Sequence, residues 1–125
     1  MLPLWIFTEG DNLRGLGHLS RCSAYATAWH LRGGNVFWVV DGDISAQQFI
    51  HEEKCEWRKW QNAPEEITPI NGFAIIDSYS ATMPVLQKIA DNYVRVVYID
   101  DTFRVSYPQG LVIHSITEVC PYTSD

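Results

Sequence analysis

The 125-residue chain is 46% hydrophobic, which is enough to bury one core and favours a single domain. Its formal charge of -6 disfavours a nucleic acid binder, because tracking phosphates requires a basic face. No run approaches the roughly 20 apolar residues of a membrane helix. The cysteines, Cys22, Cys55 and Cys120, lack zinc-site spacing and indicate reduced, structural thiols in a cytoplasmic protein.

The first half of the chain alternates strand-like and helix-like segments. Residues 2–8 form an apolar run with no basic residues before it, which favours a buried strand over a signal peptide. Residues 17–32 place apolar side chains at helical steps and precede two glycines, so they predict a helix. A second strand is expected over 36–40, followed by a looser helix over 44–53 capped by Asp43.

The second half continues the alternation. Further short apolar runs predict strands over residues 55–61, 72–77, 93–99 and 111–114. A helix opened by Pro84 is expected to run to Asn92, and the proline-bearing stretch 62–71 predicts a connector. This order predicts an α/β fold with a Rossmann-like, doubly wound parallel sheet over residues 1–125. The ligand crevice of such a sheet lies beyond the carboxyl ends of its strands.

Residues 8–22, TEGDNLRGLGHLSRC, carry the strongest functional signal. Gly15 and Gly17 bracket Leu16, and without a Cβ they let a phosphate approach the backbone closely. The start of the following helix adds unpaired N–H groups and partial positive charge. We therefore predict that Gly15, Leu16 and Gly17 bind substrate and that His18, at the helix start, is a general base.

Two other interpretations of this segment remain open. GLGHLS nearly matches the dinucleotide fingerprint GxGxxG, with Asp41 or Asp43 where a ribose-binding acid would fall. That match is weak, because about six residues separate Thr8 from Gly15 and Ser20 replaces the third glycine. The other interpretation is a histidine that only caps the helix.

A second polar group follows the predicted strand 72–77. Tyr79 could hydrogen-bond a sugar or a catalytic water, and packing is its alternative role. Asp77 could cap the following helix or orient a catalytic partner.

The third polar group is Asp100 and Asp101, after the predicted strand 93–99. Adjacent carboxylates can bind an arginine, and the available ones are Arg14, Arg21 and Arg104. A metal site is the other interpretation, but no further Asp, Glu or His has a suitable spacing, so we predict a structural role.

Several segments together resemble the amino-terminal half of a known enzyme family. They read TEGDNLRGLGHLSRC, VVDGD, AIIDSY, VYIDD and RVSYPQGLVIH, and they span nearly the whole chain. They are similar to the UDP-2,4-diacetamido-2,4,6-trideoxy-altropyranose hydrolases of pseudaminic acid synthesis and to related spore-coat polysaccharide proteins. The resemblance implies the amino-terminal Rossmann-like domain of a two-domain GT-B architecture.

The resemblance also implies a reaction, the hydrolysis of a UDP-linked deoxy amino sugar that releases UDP with no cofactor or metal. His18 would take the proton of the water that attacks the anomeric carbon, and Tyr79 would lie at the active site. We expect four further residues to support this site, namely Glu9, Arg21, Asp77 and Asp101.

The chain departs from the family pattern in three places. Phe7 and Glu9 stand where the family commonly has Arg and Asp, which favours a different sugar. His114 stands where the family often has Asn. The family's carboxyl-terminal domain, which supplies most contacts to UDP, is not in this sequence. We expect that domain or a partner chain to complete the site, and the chain alone to act weakly.

Two other functions remain as alternatives. A MurG-like GT-B glycosyltransferase half would need an acceptor and often a basic, apolar membrane-facing patch, which the charge balance does not favour. A non-catalytic binding domain could use exposed aromatics such as Trp57 and Trp60, although packing is the commoner role of such residues. The face left for a second domain could also form a homodimer.

Overall fold

Six parallel strands form one sheet in the computed structural model, which describes residues 1–50, 53–100 and 106–114. The strands are β1 Leu4–Gly10, β2 Val36–Gly42, β3 Lys54–Trp57, β4 Phe73–Asp77, β5 Arg95–Ile99 and β6 Leu111–Ile113. The α-helices are α1 Gly17–Leu31 and α2 Met83–Asn92, and short 3-10 helices cover Ile44–Phe49 and Pro64–Glu66. The predicted α/β fold with a Rossmann-like parallel sheet is confirmed.

The strand order reverses between β1 and β4. The order across the sheet is β3-β2-β1-β4-β5-β6, and every neighbouring pair is parallel. The chain therefore winds outward from β1 in one direction and from β4 in the other. In sheets of this kind the loops diverge at the reversal and leave a crevice beyond the carboxyl ends of the two strands.

The two faces of the sheet are covered by different helices. Successive strand residues point to opposite faces, so Ile6 packs with α1 and Phe7 packs with α2. Helix α1 contributes Leu19 to its cluster, and α2 contributes Leu86 to the other, and all four side chains are fully buried. This packing fixes how both helix starts stand relative to the ends of β1 and β4.

Two predicted elements differ by more than two residues at one end from the observed ones. The helix expected over 44–53 is a 3-10 helix that ends at Phe49, although Asp43 does cap it, accepting a hydrogen bond from the backbone N–H of Ser45 at 3.0 Å. Ala46 is its buried residue while Ile44 is largely exposed, so little apolar surface supports a longer helix. The strand expected over 55–61 ends at Trp57.

No helix in the described ranges combines the length and the apolar character that crossing a bilayer requires.

Candidate active site

The site lies at the carboxyl edge of the sheet, where β1 and β4 run side by side. Thr8 of β1 pairs with Asp77 of β4, and the Thr8 hydroxyl donates to the Asp77 carbonyl at 2.9 Å. Glu9 and Gly10 extend β1 one step beyond this pair, against Asp41 and Gly42 of β2. The ends of three central strands thus present their polar side chains at one level.

A tight loop over residues 11–15 connects β1 to helix α1. Asp11 and Gly15 form an isolated antiparallel bridge, and the Asp11 carboxylate accepts from the backbone N–H groups of Leu13 and Arg14 at 3.1 and 2.7 Å. Gly15 closes the loop with a φ of +95°, which L side chains rarely adopt. The loop folds back on itself and leaves the start of α1 facing the crevice.

The segment predicted to bind phosphate opens α1. Leu16 is the residue before the first helical turn, and its side chain packs against the cluster on the α1 face of the sheet. A Cβ at either Gly15 or Gly17 would meet no atom within 4 Å. The backbone of both glycines therefore borders open space, as close approach of a ligand requires.

His18 is held by Asp77 across the crevice. The imidazole Nδ1 lies 2.5 Å from Asp77 Oδ1, and His18 is only 8% exposed. Arg21 Nη2 also lies 3.0 Å from the same Nδ1. Because a carboxylate only accepts, the short contact assigns the proton to Nδ1, and Arg21 Nη2, itself a donor, then donates to Asp77 Oδ1 at 2.8 Å and not to the ring. In the neutral imidazole this leaves the lone pair on Nε2.

Arg21 completes the environment of the Asp77 carboxylate. Its Nε donates to Oδ2 at 2.7 Å and its Nη2 to Oδ1 at 2.8 Å, a two-pronged ion pair one helical turn beyond His18. The Cys22 thiol donates to Oδ2 at 3.8 Å. Burial alone would raise the pKa of Asp77, but the hydrogen bonds from His18 and Arg21 outweigh burial and lower it. Asp77 is therefore an ionised orienting group.

The Nε2 atom of His18 is buried and has no hydrogen-bond partner among the described residues. An unpaired buried polar group of this kind costs about 1–3 kcal/mol. In this arrangement the carboxylate orients the ring through Nδ1, and Nε2 is left to accept a proton, as in a general base.

Tyr79 lies against the ring of His18. Their ring centroids are 4.3 Å apart with an interplanar angle of 71°, an edge-to-face contact. Tyr79 is itself 52% exposed. The Tyr79 ring therefore contacts the buried imidazole while about half of its own surface faces solvent.

Glu9 anchors the turn that carries Tyr79. Its carboxylate accepts from the hydroxyls of Ser78 and Ser80 at 2.6 and 2.8 Å and from the Tyr79 backbone N–H at 3.0 Å. Gln61 donates a further hydrogen bond at 2.9 Å. Burial alone would raise the pKa of Glu9, but these hydrogen bonds, led by that of Ser78, lower it.

Asp41 is occupied by protein groups and not available as a ribose-binding acid. Its carboxylate accepts from Arg14 Nη1 at 3.0 Å and from Gln61 Nε2 at 2.9 Å. The neighbouring candidate Asp43 caps the 3-10 helix through Ser45. These contacts weigh against the dinucleotide interpretation of the glycine loop.

The structure places most of the predicted site residues in two adjoining clusters. His18, Arg21 and Asp77 form one cluster, and Glu9 and Tyr79 belong to the other. The sequence analysis missed Gln61 and Ser80. Gln61 is the last residue of the predicted strand 55–61, where no pattern indicated a function, whereas Ser80 directly follows the DSY segment that was predicted to be functional.

Of the Asp100-Asp101 pair, the structure describes Asp100 alone. Asp101 and Arg104 lie outside the described residues. Arg14, one of the three arginines considered for this pair, is bound by Asp11 and Asp41. The main chain carbonyl of Asp100 lies 2.8 Å from Nδ1 of His114.

The remaining candidates have other roles. Trp60 is fully buried and donates to the Thr8 carbonyl at 2.8 Å, so it packs in the core, while Trp57 is partly exposed at the end of β3. Within residues 1–50, 53–100 and 106–114, no three His, Cys, Asp or Glu side chains are grouped to hold a metal ion.

Comparison with known proteins gives no relative from which to transfer a function. Protein-family models, curated proteins and solved structures each yield no match to this chain. Fold and site together define the chain as a Rossmann-like α/β domain with a buried histidine-aspartate pair at the carboxyl edge of its sheet.

Proposed function

We propose that this chain is the amino-terminal half of a GT-B enzyme that hydrolyses a UDP-linked deoxy amino sugar, with His18 as the general base. The observation that carries the proposal is the His18-Asp77 pair, which fixes the proton on Nδ1 and leaves Nε2 unpartnered among the described residues. General bases in enzymes are recognised by this combination of an oriented ring and a free accepting nitrogen.

The reaction is a glycosyl transfer to water. The water oxygen forms a bond to the anomeric carbon as the bond from that carbon to the phosphate oxygen breaks. Nε2 of His18 takes the proton of the water, and UDP leaves with the electron pair of the broken bond. The ionised Asp77 stabilises the imidazolium that forms, while Arg21 keeps the carboxylate from rotating away.

Phosphate binding is supported by the backbone between the loop and helix α1. Gly15 and Gly17 border open space, and the start of α1 offers N–H groups and the positive end of its dipole. A diphosphate bound at this position would lie next to His18, the residue that follows Gly17 in the chain. The net charge of -6 does not oppose such binding, because the attraction is local.

Completion of the site by a second domain or a partner chain is supported by the loops at the carboxyl edge. Four exposed large apolar side chains follow strand ends there, namely Leu13, Ile44, Tyr79 and Met83. Exposed apolar groups that line a crevice are typical of docking surfaces. The same edge could serve a homodimer, which remains the alternative occupant.

The test is UDP release from UDP-amino sugars. The chain is assayed alone, joined to a carboxyl-terminal nucleotide-binding domain, and mixed with one. In the completed enzyme, His18→Gln is expected to reduce release by about 100- to 10,000-fold, the usual contribution of a general base. The matched control is His30→Gln, in the same helix but away from Asp77, which should keep the parent rate.

Two results would contradict the proposal. Equal release by parent and His18→Gln proteins of intact fold would remove His18 as the base. Release that requires an added alcohol acceptor would indicate the glycosyltransferase alternative.

A further inference from the structure

Glu9 controls the conformation of the turn over residues 78–80. Its carboxylate receives hydrogen bonds from all three residues of this turn, two from hydroxyls and one from the main chain of Tyr79. The Ser78 hydroxyl, in turn, accepts from the backbone N–H groups of Ser80 and Ala81 at 3.0 Å each. One buried side chain on β1 therefore organises the loop after β4.

The conformation of this turn decides where the Tyr79 ring lies. The main chain N–H of Tyr79 is held 3.0 Å from Glu9 Oε2, and from that fixed position the ring reaches His18 with a centroid distance of 4.3 Å. Among the described residues Glu9 makes no hydrogen bond to His18, and its own hydrogen bonds go to the turn and to Gln61.

We propose that Glu9 is a positioning residue that acts on His18 through Tyr79, by holding the turn so that the aromatic ring covers the imidazole. Its importance for catalysis rests on the function proposed above, but its effect on the His18 environment does not. The carboxylate serves as an acceptor for the turn, since it receives four hydrogen bonds, three on Oε1 and one on Oε2.

A carboxylate is the side chain that this position requires. All four groups donate to Glu9, and two of them, the Tyr79 backbone N–H and the Gln61 NH2, cannot accept, so an acceptor-only side chain meets them best. The buried charge is stabilised by the hydrogen bonds it accepts. Glutamine has the same shape but turns one oxygen into an NH2 donor. Glu9→Gln therefore opposes donor to donor without creating a cavity.

The test is nuclear magnetic resonance of the whole 125-residue chain with labelled histidine, in which His18→Gln assigns the His18 signals. The shift of the His18 ring protons between the parent and Tyr79→Leu measures the contact with the aromatic ring. We expect Glu9→Gln to reproduce most of that shift. The 15N signal of His18 Nδ1, which reports the hydrogen bond to Asp77, is expected to stay at its parent position.

The control is Asp43→Asn, which removes a carboxylate from the same edge of the sheet without touching the turn and keeps a capping residue. It should leave the His18 ring protons unmoved. Should Glu9→Gln prove unfolded, Ser80→Ala removes one donor to Glu9 and is expected to give a smaller shift in the same direction.

Parent-like ring-proton signals in a folded Glu9→Gln protein would overturn the proposal. So would a displaced Nδ1 signal, because Glu9 would then act on the Asp77 pair directly. Neither result depends on hydrolysis, so failure of this proposal is distinguishable from failure of the proposed enzymatic function.

Discussion

Nδ1 of His18 and Oδ1 of Asp77 lie 2.5 Å apart, although 59 positions separate the two residues in the chain. His18 stands in the first turn of α1 and Asp77 is the last residue of β4. Parallel pairing of β1 with β4 brings these two element ends to the same edge of the sheet. The pair is therefore a product of strand order, and it determines which imidazole nitrogen can accept a proton.

Loss of the Asp77 charge should change the tautomer of His18. We expect the parent protein to carry the proton on Nδ1, and Asp77→Asn to populate the Nε2–H form, because an amide no longer demands a donor from the ring. The 15N chemical shifts of the two ring nitrogens measure this. In the completed enzyme the same variant should lower UDP release by about 100- to 10,000-fold. A parent protein already protonated on Nε2 would refute the assignment.

Removal of the Tyr79 ring should expose the accepting nitrogen. Nε2 of His18 is buried and the Tyr79 ring lies against the imidazole, so diethyl pyrocarbonate should modify His18 slowly in the parent and severalfold faster in Tyr79→Ala. Mass spectrometry of peptides follows the rate, with the more exposed His30 as an internal reference. Tyr25→Ala, which removes a tyrosine from the middle of α1, is the matched control. An unchanged His18 rate in Tyr79→Ala would show that something else buries the nitrogen.

Replacement by alanine should destabilise the fold at Gly42 and leave its stability nearly unchanged at Gly17. A Cβ at Gly42 would lie 2.6 Å from the carbonyl oxygen of Gly10, so Gly42→Ala should lower the free energy of unfolding by about 1–3 kcal/mol. A Cβ at Gly17 meets nothing within 4 Å, so Gly17→Ala should change it by no more than about 0.5 kcal/mol. Urea denaturation measures both.

The Gly17 substitution also separates folding from ligand binding. Its methyl group would occupy the space through which a phosphate approaches, so UDP affinity, measured by calorimetry in the completed enzyme, should fall while stability holds. Parent-like affinity in Gly17→Ala would place the diphosphate elsewhere.

The stability of the fold should fall in acid because of Glu9 and Asp77. Both have pKa values below their ordinary 4.5 and 3.8, since hydrogen bonds to the carboxylates outweigh the opposing effect of burial. A lowered pKa in the folded state means that the unfolded chain binds protons more readily. The two groups therefore stabilise the fold above their ordinary pKa values, and this contribution is lost as the pH falls through the folded values.

Glu9→Gln isolates one of these contributions. It should cost about 2 kcal/mol at neutral pH, where buried donors lose a charged acceptor, and its stability should decline less steeply below pH 4.5 than that of the parent. Urea unfolding at several pH values provides the curves, with Glu65→Gln at an exposed carboxylate as the matched control. If the free energy of unfolding fell equally steeply with decreasing pH in the parent and in Glu9→Gln, the contribution assigned to Glu9 would be contradicted.

Most helices and strands, and the glycine loop before α1, could be predicted from local sequence patterns. Local signals were sufficient there: apolar runs bounded by polar turns predict strands, and the three- and four-residue spacing that ends at Gly33 and Gly34 predicts α1. Gly15, Gly17 and His18 stood out because glycines before a helix start are a local pattern with a physical use. The prediction for the weakly apolar stretch 44–53 was wrong in length, since Ala46 is the one buried residue of the 3-10 helix Ile44–Phe49 that forms there.

The hydrogen-bond partners of the site side chains could not be predicted from the sequence, because they depend on the fold. Asp77 could have capped the helix after it, but strand order directs it to His18 and Arg21 of α1, while Thr82 is the N-cap residue of α2. Glu9 and the turn after β4 are about 70 residues apart, and no periodicity or motif links them. The physical reason is that hydrogen bonds between strand ends depend on which strands are neighbours, and that choice is made by burial of the whole sheet between its two helical layers.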